Sequence, residues 1–401
     1  MKINSSGRLS DMELNFNNTE TAFRSKTSAD LKRALWLFRS LASPLLVKTA
    51  TWLTNAALRL KLPLNWLIKP TIYRHFVGGE TIEECAGTVA RHKEFGVSSI
   101  LDYSVEGNHD DKSIQETLLE TLKSIRNAAG EEAIPFAVFK PTAFAVPDLF
   151  EHSEPGRPLE GQMENEYYRF RSRINVLCNE AFKLDVPLMI DAEDSWYQHL
   201  VDDTTEEMMR RYNREKAIVF NTLQMYRHDR IQFLKDSIAN AREGNYFLGV
   251  KLVRGAYMEK ERERAKAKGY PSPIHPDKAA TDAAFDEAIR ISLDNSDIVS
   301  VFCGSHNETS NLLMAQEIHK RELPLNDKRF WFAQLYGMSD HISFNLANRG
   351  FNVAKYVPYG PVKNVMPYLF RRAEENTSIA GQTSRELKLL KTEIRRRRST
   401  R

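Results

Sequence analysis

The stretch Phe247-Leu-Gly-Val-Lys-Leu-Val-Arg-Gly-Ala-Tyr257 begins as one kind of structure and ends as another. Phe247–Val253 has the length and the Val/Leu content of a buried strand. Arg254 and Gly255 then stop it with a charge and a residue free of a side chain. Seven more short apolar runs flank it: Val97–Leu101, Pro135–Phe139, Pro187–Ile190, Ala217–Phe220, Ile298–Phe302, Phe330–Gln334 and Asn352–Val357. Helical patterns lie between them. Ile114, Leu118, Leu119, Leu122 and Ile125 share one helical face, as do Ile231, Leu234, Ile238 and Ala241, and Leu312, Leu313, Ala315 and Ile318. Strands alternating with helices, eight times over, predict an α/β chain folded as a (β/α)8 barrel of the TIM type.

The strand ends carry a second signal. The runs finish in or near Asp102, Lys140, Asp191 with Glu193, Gln224, Arg254, Ser305 with His306, and Gln334, and Tyr356 sits near the end of the last. In such a barrel the C-terminal strand ends form the mouth where chemistry happens. A single Asp after a strand is more often a turn or a cap. Recurrence at strand after strand is harder to explain that way. Lys251 to Tyr257 sets two cations and a glycine at one strand end, which suits an anionic or electron-rich ligand; solvated bases on a strand edge are the plainer reading.

Composition narrows the classes. The chain has 401 residues, 42% apolar and 27% charged, with a net charge of +4. That excludes a disordered chain and a global polyanion-binding field, so no nucleic-acid partner is expected. Three cysteines without CxxC spacing disfavour a disulfide framework and suit a reducing compartment. Ten scattered histidines support no metal site. GxGxxG after a strand, GxxxxGK[ST], HExxH and GxSxG are all missing, which removes the signatures of Rossmann, P-loop, zincin and α/β-hydrolase chemistry. No run reaches the ~20 apolar residues of a membrane span. Asp11, Glu13 and Glu20 precede any apolar run, so no leader is written there and a cytoplasmic place is expected.

Residues 1–70 are expected as an N-terminal helical arm, 71–385 as the barrel and 386–401 as a basic C-terminal tail. Between Asp30 and Glu80 there is no acid, but there are eight bases and three tryptophans, Trp36, Trp52 and Trp66. An arm packed on the main domain is the commoner use of such a helix. A helix lying on anionic lipid, at the inner face of the cell membrane, is the other. Arg395 to Arg398 could serve the same lipid contact or fray in solvent. After the last strand, Pro367 suits the first turn of a helix running to about Asn376. Tyr368, Arg371, Arg372 and Glu375 share one surface of it. Two adjacent guanidiniums recognise a carboxylate well, though a surface helix laced with salt bridges would look the same.

Nine segments, taken in order, resemble the proline dehydrogenase family. They are Tyr73 to Gly79, Phe95 to Asp102, Asp191-Ala-Glu193, Phe220 to Gln224, Lys251 to Tyr257, Ser305-His-Asn307, Gln334 to Met338, Lys355 to Val362 and Tyr368 to Asn376. They cover roughly residues 70 to 385, and the wording is closer to the monofunctional, mitochondrial-like type than to the proline-utilisation fusions. The resemblance implies a distorted (β/α)8 barrel with a C-terminal helix over the active-site mouth. It implies FAD held noncovalently and oxidation of L-proline to 1-pyrroline-5-carboxylate by hydride transfer, the first step of proline catabolism. A membrane quinone would take the electrons, and a pyrroline-5-carboxylate dehydrogenase would be a metabolic partner.

Carried over by residue, the resemblance makes Asp191 and Lys251 catalytic. Arg371, Arg372 and Lys140 would grip the substrate carboxylate, with Glu375 orienting the arginine pair. Tyr257, Leu335, Tyr356 and Tyr368 would wall the ring. Ala192, Gln224, Arg254, Gly255, Ala256, Ser305 and His306 would hold FAD, with no metal. Lys251 and Arg254 exchange the two cations of the fusion pattern, which leaves open which serves the flavin and which the pocket. Ser305 keeps the hydroxyl of the usual threonine, and Met258 replaces a tryptophan. The alternatives are a hydroxyproline dehydrogenase, whose extra hydroxyl Tyr356 should crowd, and a barrel that binds an amino acid without turning it over.

Overall fold

The structure is a computed structural model and describes residues 14–59, 68–105, 110–378 and 382–400. Among these residues all eight expected runs are strands: β1 Ser98–Tyr103, β2 Ala137–Phe139, β3 Leu188–Ile190, β4 Val219–Gln224, β5 Leu248–Val253, β6 Val299–Gly304, β7 Phe330–Leu335 and β8 Val353–Tyr359. They make one sheet in the order β1-β8-β7-β6-β5-β4-β3-β2, which is that of a TIM-type (β/α)8 barrel. Every neighbouring pair from β2 to β7 is parallel. β3 starts one residue after Pro187, which has no N–H to give a ladder. β4 runs four residues beyond its expected end at Phe220, through the buried polar Asn221, Thr222 and Gln224.

By packing, the chain divides into two units. A terminal unit holds Met1–Ser98, Ser104–Glu106 and Gln334–Arg401, and a central unit holds Ser99–Tyr103 and Gly107–Ala333. The central unit is built on the strand rows β2 to β7. Its apolar filling includes Phe136, whose ring meets those of Phe220, Phe302 and Trp331 edge-on at 5.2–5.4 Å, a favoured aromatic geometry. The helix Asp111–Ala129 starts where the Asp110 side chain accepts the Ser113 N–H; of its expected apolar face it buries Ile114, Leu118 and Ile125, half-buries Leu122 and leaves Leu119 57% exposed.

The terminal unit is mostly helical. The helix Ser28–Leu41 opens on a capping box, in which Thr27 and Asp30 satisfy each other's backbone N–H groups. Its apolar stripe, Leu31, Ala34 and Phe38, packs in one cluster with Ala22, Phe23, Leu389 and Leu390. The two ends of the chain therefore share a core. A boundary at residue 386 does not match this packing. The residues expected as a basic tail belong, up to Ser399, to a helix Gln382–Ser399. Two of its arginines are spent locally: Arg396 and Arg397 donate to Glu393, and Arg397 also donates to the carbonyls of Lys26 and Phe23. An amphipathic helix must bury its stripe, and the arm offered the matching one. The expected helix after β8 is present as Met366–Ser378. Of the arm, residues 60–67, including Leu60, Leu64, Trp66 and Leu67, lie outside the described residues.

Candidate active site

The central unit carries eleven of the site residues that the resemblance implies. Lys140 follows β2, and its Nζ donates to both carboxylate oxygens of Asp102 in β1, at 3.0 and 3.3 Å. Asp191 follows β3, its N–H donating to the Phe139 carbonyl. Its Oδ1 accepts from Lys251 Nζ at 2.6 Å, with the lysine side chain 7% exposed. Lys251 is no solvated base: it stands inside β5, opposite Thr222 and Phe302, so the period-two alternation of the strand turns it inward. The structure thus brings Asp191 and Lys251 together as an ion pair, and Lys140 with the strand-end carboxylate of Asp102.

Arg254 follows β5 and is held from three sides. Nε donates to Asp282 at 2.7 Å, Nη1 to Ser305 Oγ at 2.7 Å and Nη2 to Ser310 Oγ at 2.9 Å. Its guanidinium lies 4.3 Å from the Phe285 ring centroid. Two of its five N–H groups remain for a ligand. Lys278 also pairs with Asp282, and these two cations hold the Asp282 carboxyl below the usual carboxylate range, against burial. Asp282 sits on the helix Lys278–Asp294, and nothing in its spacing singled it out. Gly255 has φ +123°, where L side chains are strained, and a Cβ there would lie 2.5 Å from the Tyr226 ring. Only glycine fits. Ala256 is exposed, Ala192, Tyr257 and His306 are half-buried, and Ser305 is buried, its Oγ also accepting the Asn307 N–H.

Gln224 ends β4 opposite Val253. It is 2% exposed, and its Oε1 has no hydrogen-bond partner. An unmatched buried acceptor carries a cost until something donates to it. These residues fit a flavin. Its ring edge offers an imide N–H and carbonyl oxygens, and the rim offers a carboxamide, a fixed guanidinium and a bare glycine backbone. Among the described residues no group of side chains could hold a metal ion.

The terminal unit carries the rest. Leu335 ends β7 and packs against an apolar cluster that includes Tyr368, Leu369 and Met338. Tyr356, in β8, is 9% exposed. On the helix Met366–Ser378, Arg372 is 6% exposed, its guanidinium 5.2 Å from the Tyr368 ring centroid, whereas Arg371 is half-buried. Arg372 therefore does not stand on a solvated helix face. The side chain of Glu375 lies outside the described residues.

A family model described as proline dehydrogenase matches residues 85–385. Among curated proteins, the carbapenem antibiotics biosynthesis protein CarD of Pectobacterium carotovorum subsp. carotovorum is 34% identical over 324 residues, covering 80% of this chain and 83% of its own. Proline dehydrogenase 1, mitochondrial, of Drosophila melanogaster is 38% identical over 275 residues, covering 63% of this chain and 39% of its own. Hydroxyproline dehydrogenase of Xenopus laevis is 31% identical over 413 residues, covering 94% and 88%. Among solved structures, proline utilization A (PutA) of Bdellovibrio bacteriovorus inactivated by N-propargylglycine superposes with a TM-score of 0.70 at 20% identity, covering 91% of this chain and 38% of that one. At that identity the likeness speaks to the barrel fold. With three quarters of its length matched by the family model, this chain belongs to the proline dehydrogenase family.

Proposed function

We propose that this chain oxidises L-proline to 1-pyrroline-5-carboxylate with bound FAD. The family supports the substrate and the oxidation. The observation that carries the flavin is the Arg254–Gly255 junction: a guanidinium fixed by three side chains beside a backbone position that tolerates no Cβ, near a buried carboxamide without a donor. When bound, the flavin supplies a two-electron acceptor for the hydride that leaves the ring carbon next to nitrogen.

The chain's own residues do the rest. Arg371 and Arg372 bind the proline carboxylate, with Lys140 as a third cation, because a guanidinium matches a carboxylate bidentately and never loses its charge. Glu375 orients the pair. Tyr257, Leu335, Tyr356 and Tyr368 exclude water from the ring. Asp191 and Lys251 act as a unit: the carboxylate fixes the lysine side chain where negative charge develops. Gln224, Arg254, Gly255, Ala256, Ser305 and His306 hold the cofactor, with Ala192 beside them. The substrate ammonium must lose its proton before the hydride leaves, since the nitrogen lone pair stabilises the iminium that forms. An absorbance spectrum before and after anaerobic addition of proline tests this. A flavin band that bleaches is expected; a colourless protein, or an unbleached band, overturns the reading.

The electrons then pass to a membrane quinone, and the product suits a pyrroline-5-carboxylate dehydrogenase. No helix among the described residues is long and apolar enough to cross a membrane. Contact at the surface is supported by the arm: Trp36, Leu45, Leu46 and Trp52 are 55–73% exposed in an acid-free basic stretch. Trp36→Ser with Trp52→Ser should cut co-sedimentation with anionic liposomes while leaving turnover with a soluble dye unchanged. Equal partitioning would discard the lipid contact. The Xenopus relative favours hydroxyproline as a second reading. The rate with each ring at equal concentration decides it, with proline expected to lead because Tyr356 leaves little room for a 4-hydroxyl.

A further inference from the structure

Glu193 is the one carboxylate of the Asp191-Ala-Glu193 segment that the proposed reaction leaves unused. It is 9% exposed. Its Oε2 accepts two hydrogen bonds from one residue, Thr142: the backbone N–H at 3.1 Å and the hydroxyl at 2.7 Å. Its own N–H donates to Gln198 Oε1 at 3.3 Å, and the Gln198 amide donates to Asp202 at 3.0 Å. The stretch after β3 is thereby tied down, and through Glu193 it grips the stretch after β2. Thr142 lies in the short 3-10 turn Pro141–Phe144, which Lys140 immediately precedes. The far end of that lysine is tied to Asp102. Lys140 is therefore held at both ends, at Nζ by Asp102 and at its backbone, two residues on, by Glu193.

We propose that Glu193 is a positioning residue: by clamping Thr142 it sets the backbone from which Lys140 reaches the carboxylate of proline. The inference rests on the proposed proline oxidation and deepens it. With Nζ tied to Asp102, the lysine stem spans two fixed points, so moving the backbone end changes how its ammonium is presented. A displacement of about 1 Å in a positioning group is enough to cost binding and rate.

The charge state of the clamp matters. The groups around Glu193 are Lys140, Asp194 and Tyr197, with Asp102 beyond the lysine, and Asp194 is itself paired with Lys260 and the Tyr197 hydroxyl. Burial pushes the Glu193 carboxyl up to about 7, while Thr142 and Lys140 pull the other way and Asp194 adds to the rise. Above about 7 the carboxylate accepts both bonds with full charge assistance. Below that, the proton takes up acceptor capacity and the clamp weakens. Proline affinity should therefore fall as the pH drops through neutrality, by a route separate from the substrate amine.

The test uses the FAD-loaded full chain and reads kcat and KM for proline at about pH 6 and about pH 8. The wild-type KM is expected to be several-fold higher at the lower pH. Thr142→Val should raise KM about tenfold at the higher pH with kcat little changed, the lower end of the cost of one lost hydrogen bond to a charged group. Thr142→Ser, which restores the hydroxyl, should return it. Glu193→Gln keeps an acceptor but no titration, so its KM should lose the step near neutrality. A Glu193→Gln enzyme with the wild-type KM at both pH values overturns the clamp, as does a Thr142→Val enzyme with unchanged KM. If Glu193→Gln fails to fold, the Thr142 pair decides alone. A wild-type flavin that proline does not bleach overturns the proposed function itself, an outcome distinct from either.

Discussion

The two units handle buried charge in different ways. In the central unit the cations are matched across strand ends: Lys140 with Asp102, Lys251 with Asp191, Arg254 with Asp282. At least one member of each pair keeps some contact with solvent, the least shielded being Asp282 at 28%. In the terminal unit the charges go deeper. Lys355, in β8, is 1% exposed; it pairs with Asp340 at 2.8 Å and donates to the Met338 carbonyl, and Lys26 stands 3.4 Å from the same carboxylate. On the C-terminal helix, the buried Glu386 accepts the Ser339 N–H at 2.6 Å. Ser339 itself takes a left-handed backbone, φ +52°, without being glycine. Ser339 costs backbone energy at that φ, and the surrounding bonds hold it there. The contrast is between charge kept at a rim for ligands and charge used as internal framework.

The largest expected effect is in the framework. Asp340→Asn leaves Lys355 charged and enclosed, so unfolding in urea should lose about 3–5 kcal/mol, the cost of breaking a buried pair. Replacing Lys355 by Met in the same protein should recover much of it. A loss below about 1 kcal/mol would show that Asp340 is no framework charge. Next comes Arg372→Ala, which removes a buried guanidinium proposed to meet the substrate. KM for proline should rise about a hundredfold, with FAD still bound. An unchanged KM would remove the carboxylate grip and return Arg372 to packing on Tyr368.

The third prediction sets the units against each other by pH. In the terminal unit, burial and then Lys26 push His75 down to about 4, and burial and then Lys355 push His92 down to about 3. Their unfolded forms bind protons from about 6.5 downward, so these two groups cost stability progressively as the pH falls below that value. In the central unit, Glu193 has its carboxyl raised from 4.5 to about 7. There the folded form holds the proton more tightly, so this contribution is full below 4.5 and is lost as the pH rises through about 7. Each pH unit inside such a window is worth about 1.4 kcal/mol per group. Hydrogen exchange corrected for its intrinsic rate, compared at about pH 5 and about pH 7.5, should show β8 and the helix Ile82–Glu94 better protected at the higher pH. Glu193→Gln should flatten any opposite trend in the slowest-exchanging amides of β3 and β4, which report opening of the unit and not the Thr142 clamp itself. The same trend in both regions would break the comparison.

The smallest effect belongs to Asp282→Asn. Arg254 would lose its carboxylate but keep two hydroxyl acceptors, and Asp282 is partly exposed. A loss of about 1 kcal/mol in FAD binding is expected, read by flavin fluorescence on titrating apoprotein. Unchanged affinity would mean that the hydroxyls alone aim the guanidinium.

Much of the central unit could be read directly. Each apolar run became a strand because strand length and β-branched content act over a few neighbouring residues. The terminal unit was read less well. Gln382–Ser399 ends in four consecutive arginines, Arg395 to Arg398, and looks like a solvated tail until Leu389 and Leu390 meet Leu31 and Phe38, more than three hundred residues away. Asp282 and Thr142 carry no pattern at all. Their roles come from what they touch.

Residue order alone determined the alternation of strand and helix, hence the barrel class, and it put cations, amides and hydroxyls at the strand ends, since inward-facing period and helix caps are local properties of the chain. Only the tertiary structure decided which of those groups pair. Lys251 meets Asp191 across 60 residues and Glu193 meets Thr142 across 51. A hydrogen bond or ion pair needs its atoms about 3 Å apart, and that spacing is set by strand register and by how the turns beyond the strands settle.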